Sequence, residues 1–94
     1  MLHIISRYLN SNQIATEVIE YISNNDVCIF LAEAVLILEH LPEKILAKKQ
    51  KISLYALQQD IHYFGLTDYP AYIKVIDYQQ FVDLTIHHTP NKFW

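Results

Sequence analysis

The segment that decides the fold is Ile52–Trp94, which reads ISLYALQQDIHYFGLTDYPAYIKVIDYQQFVDLTIHHTPNKFW. It contains two successive units in which a short apolar run, typical of a strand, is followed by a helical pattern. The first unit predicts a strand at Ile52–Ala56 and a helix over Leu57–Phe64. The second predicts a strand at Ile73–Ile76 and a helix that follows Asp77. Strands that alternate with helices predict a parallel sheet with right-handed crossovers.

The ends of these two helices carry recognisable capping signals. Gly65 is the only glycine of the chain, and it stands where a left-handed C-terminal cap would need it. Asp77 is followed three residues later by Gln80, which resembles a capping box. The second helix is expected to end near His88, and Pro90 follows as a stop.

The same alternation continues outward from this segment to both ends of the chain. The other predicted elements are a strand at Leu2–Ile5, a helix over 12–23 capped by Ser11 or Asn12, a strand at Val27–Leu31, a helical stretch over Ala34–Lys49 interrupted at Pro42, and a short last strand at Lys92–Trp94. The predicted fold is one small α/β domain over residues 1–94. Its mostly parallel sheet has four to five strands, with helices on both faces.

The composition predicts a partner. Hydrophobic residues make up 52% of the chain and charged residues 18%, against a usual charged share of about 25%. Because a domain of this size buries only about 60–65% of its unfolded surface, part of the apolar excess is expected to face another protein. Aromatic residues suit such interfaces, although mixed core and surface packing is an equally good interpretation of the tyrosines. The side chains predicted for the interface are Tyr69, Tyr72, Tyr78, His87, Phe93 and Trp94.

Charge and cysteine content limit the possible partners and locations. The net charge is −3 and the pI about 5.9, which disfavours direct binding of tRNA or other nucleic acid. The one basic cluster, which lies within Lys44–Lys51, is interpreted as a solvated helix end, with contact to tRNA or a carrier protein as the alternative. A single cysteine fits a reducing cytosol. No signal peptide is expected at the N-terminus, and the apolar run Val27–Leu38 is shorter than the about 20 residues that a membrane span needs.

The residues offer little catalytic chemistry. One glycine in the whole chain excludes the glycine-rich phosphate loops, and no cofactor is expected. The five histidines lack the i, i+4 spacing of a helical metal site, so no metal is expected either. Cys28 is the only possible sulfur nucleophile, and its apolar strand favours an inert core thiol. The polar turn over 6–12 could bind a ligand at the carboxyl edge of the sheet, but the favoured interpretation is an ordinary loop.

An ordered set of short motifs carries a family resemblance over nearly the full length. It comprises MLH at the start, ISLYAL with Asp60 after it, Gly65-Leu66, Ile76-Asp77-Tyr78, Phe81-Val82, Leu84-Thr85 and the terminal Trp94. By these motifs the chain resembles the TusB-like proteins, the DsrH branch of the DsrE/DsrF/DsrH sulfur-relay family.

The resemblance implies both a fold and a function. It implies a small α/β domain that assembles with TusC-like and TusD-like paralogues into a heterohexamer. That complex relays persulfide sulfur from a TusA-like carrier, through a TusE-like one, for 2-thiolation of the tRNA wobble uridine. The catalytic cysteine belongs to the TusD-like subunit, so the resemblance implies a non-catalytic subunit here. Two alternatives are a persulfide carrier that uses Cys28 and an acidic adaptor that binds a sulfur-carrier protein.

The sequence departs from the family pattern in two places. After the second strand, relatives often read Gln/Glu-Asp-Gly-Val, whereas this chain has Ala32-Glu33-Ala34-Val35, which loses the glycine and favours a helix. Some relatives also carry a cysteine in the first helix, and this chain has none over 12–23. Cys28 therefore does not inherit a sulfur-carrying role from that position.

Overall fold

Five parallel strands form the centre of the molecule. The structure, a computed structural model, describes residues 1–94 except the side chain of Leu46. The strands are β1 (Leu2–Ile5), β2 (Val27–Phe30), β3 (Ser53–Leu57), β4 (Lys74–Ile76) and β5 (Asn91–Phe93). Their order in the sheet is β4-β3-β2-β1-β5, and every neighbouring pair is parallel. The predicted α/β class and parallel sheet are confirmed, with five strands.

The helical elements are short, and two of them are irregular. Helix α1 covers 11–21 and consists of α-helical Ser11–Gln13, π-helical Ile14–Val18 and α-helical Ile19–Tyr21; α2 (Ala32–His40) is a 3₁₀ helix; α3 (Lys44–Lys48), α4 (Gln58–Tyr63) and α5 (Tyr78–His87) are α-helices. A 3₁₀ helix of this length is unusual, because its hydrogen-bond geometry is poorer than that of an α-helix. The predicted interrupted helix over Ala34–Lys49 is therefore two helices of different type, separated at Pro42.

Two of the three predicted caps are confirmed. Gly65 has a φ of 67° after α4, and Asp77 and Gln80 form a full capping box at the start of α5. The prediction for α1 was wrong, because Asn10 is the N-cap. Its side chain accepts from the Gln13 backbone N–H at 2.9 Å, and the Gln13 side chain accepts from the Asn10 N–H at 2.9 Å. Asn10 is the cap because Gln13 lies three residues later, where a capping box requires a glutamine or glutamate.

Several boundaries differ from the prediction by one or two residues. Leu57 is the last residue of β3 and not the first of α4, and its backbone is extended, with ψ of 121°. The last strand, β5, begins at Asn91 and pairs with β1. Trp94 follows it, and its backbone N–H still donates to the Ile4 carbonyl at 2.9 Å. The C-terminal segment is thus an edge strand of the sheet.

Helices lie on both faces of the sheet, as predicted, but unevenly. The connections from β1 through β4 all step in one direction, so right-handed crossovers place α1–α4 on the same face. The connection from β4 to β5 steps back across the sheet, which puts α5 on the other face. We call these two sides the four-helix face and the α5 face.

Each face has its own apolar cluster. On the four-helix face, Phe30 and its neighbours pack with buried residues of α1 to α4. The strand residues of this cluster are Ile5, Cys28, Phe30, Leu54 and Ala56. On the α5 face, the buried strand residues Leu2, Ile4, Val27, Ile29 and Ile76 contact Phe81 and Leu84 of α5. No residue of α5 is itself fully buried.

Candidate interaction surface

The six side chains predicted for an interface lie in three separate places. Tyr69 and Tyr72 lie half-buried in the loop between α4 and β4, Tyr78 and His87 begin and end α5, and Phe93 and Trp94 lie at the C-terminal edge of the sheet. Successive residues of a strand point to opposite faces, so Phe93 and Trp94 also diverge. The structure therefore offers several surfaces and not one cluster of six.

Among these candidates, the most exposed apolar side chains lie on the α5 face: Tyr78 is 62% exposed and Phe93 70%. Ile86 of the same helix, which was not predicted, is 64% exposed. Tyr78, Val82 and Ile86 recur every four residues, so they form one stripe along α5. Phe93 belongs to the same face of the sheet, because its partner in the strand register is Ile4 of the α5-face cluster. We call Tyr78, Val82, Ile86 and Phe93 the α5 apolar surface.

His87 belongs to the same helix but is turned back onto it. Its ring Nδ1 lies 2.8 Å from the carbonyl oxygen of Asp83, one turn earlier, so the ring N–H donates to that carbonyl. The side chain is exposed and satisfies a carbonyl in the last turn of α5. Ile86, which sequence reasoning missed, is the larger apolar contribution at this end of the helix. The i, i+4 spacing from Tyr78 through Val82 would have identified it.

A second surface is a cleft between the end of α2 and the loop before β4. Its cavity is about 350 Å³. Its walls are Leu38, Leu41, Pro42, Pro70 and the rings of Tyr69 and Tyr72, and its acidic groups are Glu39, Glu43 and Asp68. Burial raises the pKa of the Tyr72 hydroxyl, so that hydroxyl remains protonated at neutral pH. We call this the acidic cleft.

The basic cluster is largely used by contacts within the chain. The Lys48 ammonium donates to the carbonyl oxygens of Ile19 and Ile22 at 2.7 and 2.8 Å, which are acceptors at the end of α1. Lys44 pairs with Glu20 at 3.2 Å across the solvent-exposed surface. The Lys49 ammonium lies 4.9 Å from the centre of the Tyr72 ring. The cluster therefore fastens α3 to its neighbours, which supports its interpretation as a helix end.

Cys28 lies in β2 and faces the four-helix cluster with 1% of its surface exposed. Burial raises the pKa of its thiol, and the nearby carboxylate of Asp26 raises it further. The reactive form of cysteine is the thiolate, so both the protonation state and the location disfavour reaction with an external partner.

A buried polar cluster at the start of β1 is the main feature that sequence reasoning missed. His3 is 0% exposed, and its Nε2 lies 2.8 Å from Oδ2 of Asp26. The Trp94 indole N–H donates to Nδ1 of His3 at 3.3 Å. Asp26 also accepts from the Met1 ammonium at 3.3 Å and from the Ser23 backbone N–H at 3.0 Å. A histidine inside an apolar strand, with an aspartate directly before the adjacent strand, was the available signal.

The ionisation of Asp26 follows from these contacts. Burial alone would raise the pKa of its carboxyl group. The hydrogen bonds from His3, from Ser23 and from the N-terminal ammonium outweigh burial, so the pKa of Asp26 is lowered. The carboxylate is therefore ionised at neutral pH and acts as the central acceptor of the cluster.

Asp60, one of the residues that carry the family resemblance, holds the turn after β2. Its Oδ2 accepts from the Ala32 backbone N–H at 2.6 Å. Ala32 has a φ of 53°, which is strained for a residue with a side chain, and this charged acceptor helps to hold it there. Ala34, where relatives have glycine, lies in α2 and is fully buried. The predicted helical character of that turn is therefore confirmed, as a 3₁₀ helix.

Comparison with protein families matches residues 10–91 to the family described as DsrH like protein. The chain belongs to the DsrH-like family. This confirms the resemblance to the DsrH branch of the sulfur-relay proteins that the sequence motifs indicated. No match to this DsrH-like chain was found among curated proteins. Within the described part of the chain, the helices are too short or too polar to span a bilayer.

Proposed function

We propose that this DsrH-like chain is a non-catalytic, structural subunit of a cytoplasmic sulfurtransferase complex. It assembles with TusC-like and TusD-like paralogues into a heterohexamer. The complex relays persulfide sulfur, received from a TusA-like carrier and passed on through a TusE-like one, for 2-thiolation of the tRNA wobble uridine. The observation that carries the proposal is the α5 apolar surface of a family member whose only cysteine is buried.

The buried thiol supports the non-catalytic role. A cysteine that accepts persulfide sulfur must ionise and approach the donor sulfur closely, because the transfer is a thiolate attack. Cys28 lies inside the four-helix cluster, and its raised pKa leaves it protonated at neutral pH. Sulfur transfer therefore falls to the cysteine of a paralogue.

The α5 apolar surface supports the structural role. Burial of apolar area drives association, and exposed aromatic and aliphatic groups mark the places where a partner can provide it. One ten-residue helix covers the α5 face, whereas four helices cover the opposite face. Contact with the paralogues through this surface would complete the second layer of the fold. Alone, the chain is expected to be poorly soluble or self-associated.

The test of the non-catalytic role is Cys28→Ala, expressed in place of the wild-type chain with both paralogues. The expected result is retained wobble-uridine thiolation, measured by mass spectrometry of digested tRNA, with normal co-elution of the three subunits. A matched control replaces the cysteine of the TusD-like subunit, which should abolish thiolation. Loss of thiolation in Cys28→Ala with an intact complex would overturn the proposal in favour of the persulfide-carrier alternative.

The acidic cleft favours a second candidate function, that of an adaptor for a sulfur-carrier protein. A lysine or arginine of the carrier could place its stem against Leu41 and Pro70 and its charge near Glu43 and Asp68. The test is Glu43→Lys in the assembled complex, with Glu17→Lys on the exposed surface of α1 as the control of equal charge change. Weaker, salt-dependent carrier binding in Glu43→Lys alone would support the adaptor, and equal binding by both variants would exclude this cleft.

A further inference from the structure

The buried His3 cluster does more than fill space, because its hydrogen bonds fix one protonation state. The indole N–H of Trp94 is a donor only, so Nδ1 of His3 must accept and must carry no proton. The Asp26 carboxylate then receives the proton on Nε2. The arrangement is therefore specific for neutral imidazole with the hydrogen on Nε2.

Protonation of His3 would place two donors against each other. The new Nδ1–H would face the indole N–H across the present distance of 3.3 Å. His3 is 0% exposed, so no bulk water is available to receive the new Nδ1 hydrogen. An unsatisfied buried donor is costly, and the contact is relieved only when one of the two rings moves.

Trp94 is the ring that can move. His3 lies within β1, which is paired on both sides, whereas Trp94 follows the three-residue edge strand β5 and is half-buried. The Trp94 indole also contacts Tyr21 edge-on at 5.5 Å between ring centres and stacks beside His3 at 6.2 Å. These side-chain contacts help to hold β5 against β1, because the backbone pairing of β5 covers only three residues.

The charged and titratable groups around His3 come from every neighbouring element. They are Asp26 before β2, the Met1 ammonium, Cys28 of β2, Tyr21 of α1 and Lys92 of β5. The Asp26 carboxylate favours the imidazolium, since it would remain hydrogen-bonded to Nε2–H. The Lys92 ammonium, 4.6 Å from the Trp94 ring centre, and the Met1 ammonium oppose it. Cys28 and Tyr21 carry no charge at neutral pH, so they neither favour nor oppose the imidazolium through charge.

We propose that His3 is a protonation switch that holds β5 against β1 when neutral and releases Trp94 and β5 when protonated. The docked form binds one proton fewer than the released form. Its population relative to the released form therefore falls about tenfold per pH unit below the midpoint. The switch decides whether the outer edge of β1 is covered by the chain's own C-terminal segment.

The single tryptophan makes the switch directly measurable. Quenching of Trp94 fluorescence by acrylamide is followed from pH 8 to pH 5 in dilute solution. Quenching should rise as the pH falls through this range, while the far-UV circular dichroism of the core is retained. Acrylamide access separates release of the ring from simple quenching by a charged imidazole, which would lower emission without raising access.

His3→Gln is the deciding variant, because its amide can accept from the indole and donate to Asp26 without titrating in this range. Acrylamide access should then stay low from pH 8 to pH 5, while the control His88→Gln keeps the wild-type transition. No rise in the wild type, or the same rise in His3→Gln, would overturn the switch. If His3→Gln does not fold, the His3 ring and Trp94 indole proton signals of the wild type must titrate with one midpoint, and different midpoints would overturn it.

Discussion

The strands contribute similar apolar side chains to both faces of the sheet, but helices cover the two faces to different extents. On the four-helix face, every strand side chain of the main cluster is nearly fully buried, and Phe30 is 1% exposed. On the α5 face, the buried strand residues meet a helix that buries none of its own residues completely. The difference arises from topology, because a single crossover returns over the second face. The four-helix face therefore holds most of the buried apolar core, and the α5 face leaves Tyr78, Ile86 and Phe93 exposed.

The first two variants compare how much each face of the sheet contributes to the free energy of unfolding. Phe30→Ala should lower the free energy of unfolding by about 3–5 kcal/mol, because it removes a fully buried ring and leaves a cavity. Phe93→Ala removes the same group from a side chain that is 70% exposed and should change it by within about 0.5 kcal/mol. Urea unfolding at neutral pH measures both. Equal losses would show that the two faces do not differ as described.

A smaller effect tests the polar cluster that joins the chain ends. Asp26→Asn should cost about 1–3 kcal/mol at pH 7, because it removes a charged acceptor from three donors. The pKa of Asp26 is lowered from its usual 3.8, so its contribution is present above about pH 4 and is lost as the pH falls through the folded value.

The difference between wild type and Asp26→Asn should therefore shrink as the pH falls below about 4. Urea midpoints measured along that range check the sign. Asp83→Asn, on the exposed surface of α5, is the control and should show no such convergence. A difference that stays constant over the same range contradicts the role given to the carboxylate.

The smallest expected losses of stability come from two lysines of α3, on the four-helix side. Lys48→Met keeps the apolar stem but removes two hydrogen bonds to the end of α1, and should cost about 1–2 kcal/mol. Lys44→Met removes only an exposed ion pair and should cost less than about 0.5 kcal/mol. Thermal unfolding of both variants measures the difference. A larger loss in Lys44→Met would reverse the interpretation of the basic cluster.

Periodicity and turn chemistry were sufficient to predict the parallel sheet, and capping pairs located α5 correctly. They could not distinguish a 3₁₀ helix from an α-helix at Ala32–His40, because both bury side chains at similar spacing. The cap of α1 was misplaced by one or two residues because several polar residues compete there. The polar cluster brings together His3, Asp26 and Trp94, which are far apart in the sequence, so it follows only from the pairing of β1 with both β2 and β5.

The interface stays a prediction. An excess of apolar residues predicts that some of them are exposed, but tyrosine alone does not show its exposure. Tyr69 and Tyr72 are half-buried against the larger cluster, whereas Tyr78 is 62% exposed. Tertiary packing decides which of the tyrosines are exposed, and the sequence around each one does not show it.

The inference that the α5 apolar surface is the assembly surface is tested by Ile86→Lys co-expressed with both paralogues. Glu17→Gln on α1 is the control, since it makes the same charge change on the four-helix side. We expect Ile86→Lys to lose stoichiometric co-elution in size exclusion while its urea midpoint stays at the wild-type value, and Glu17→Gln to keep both. Wild-type co-elution of Ile86→Lys would contradict the claim.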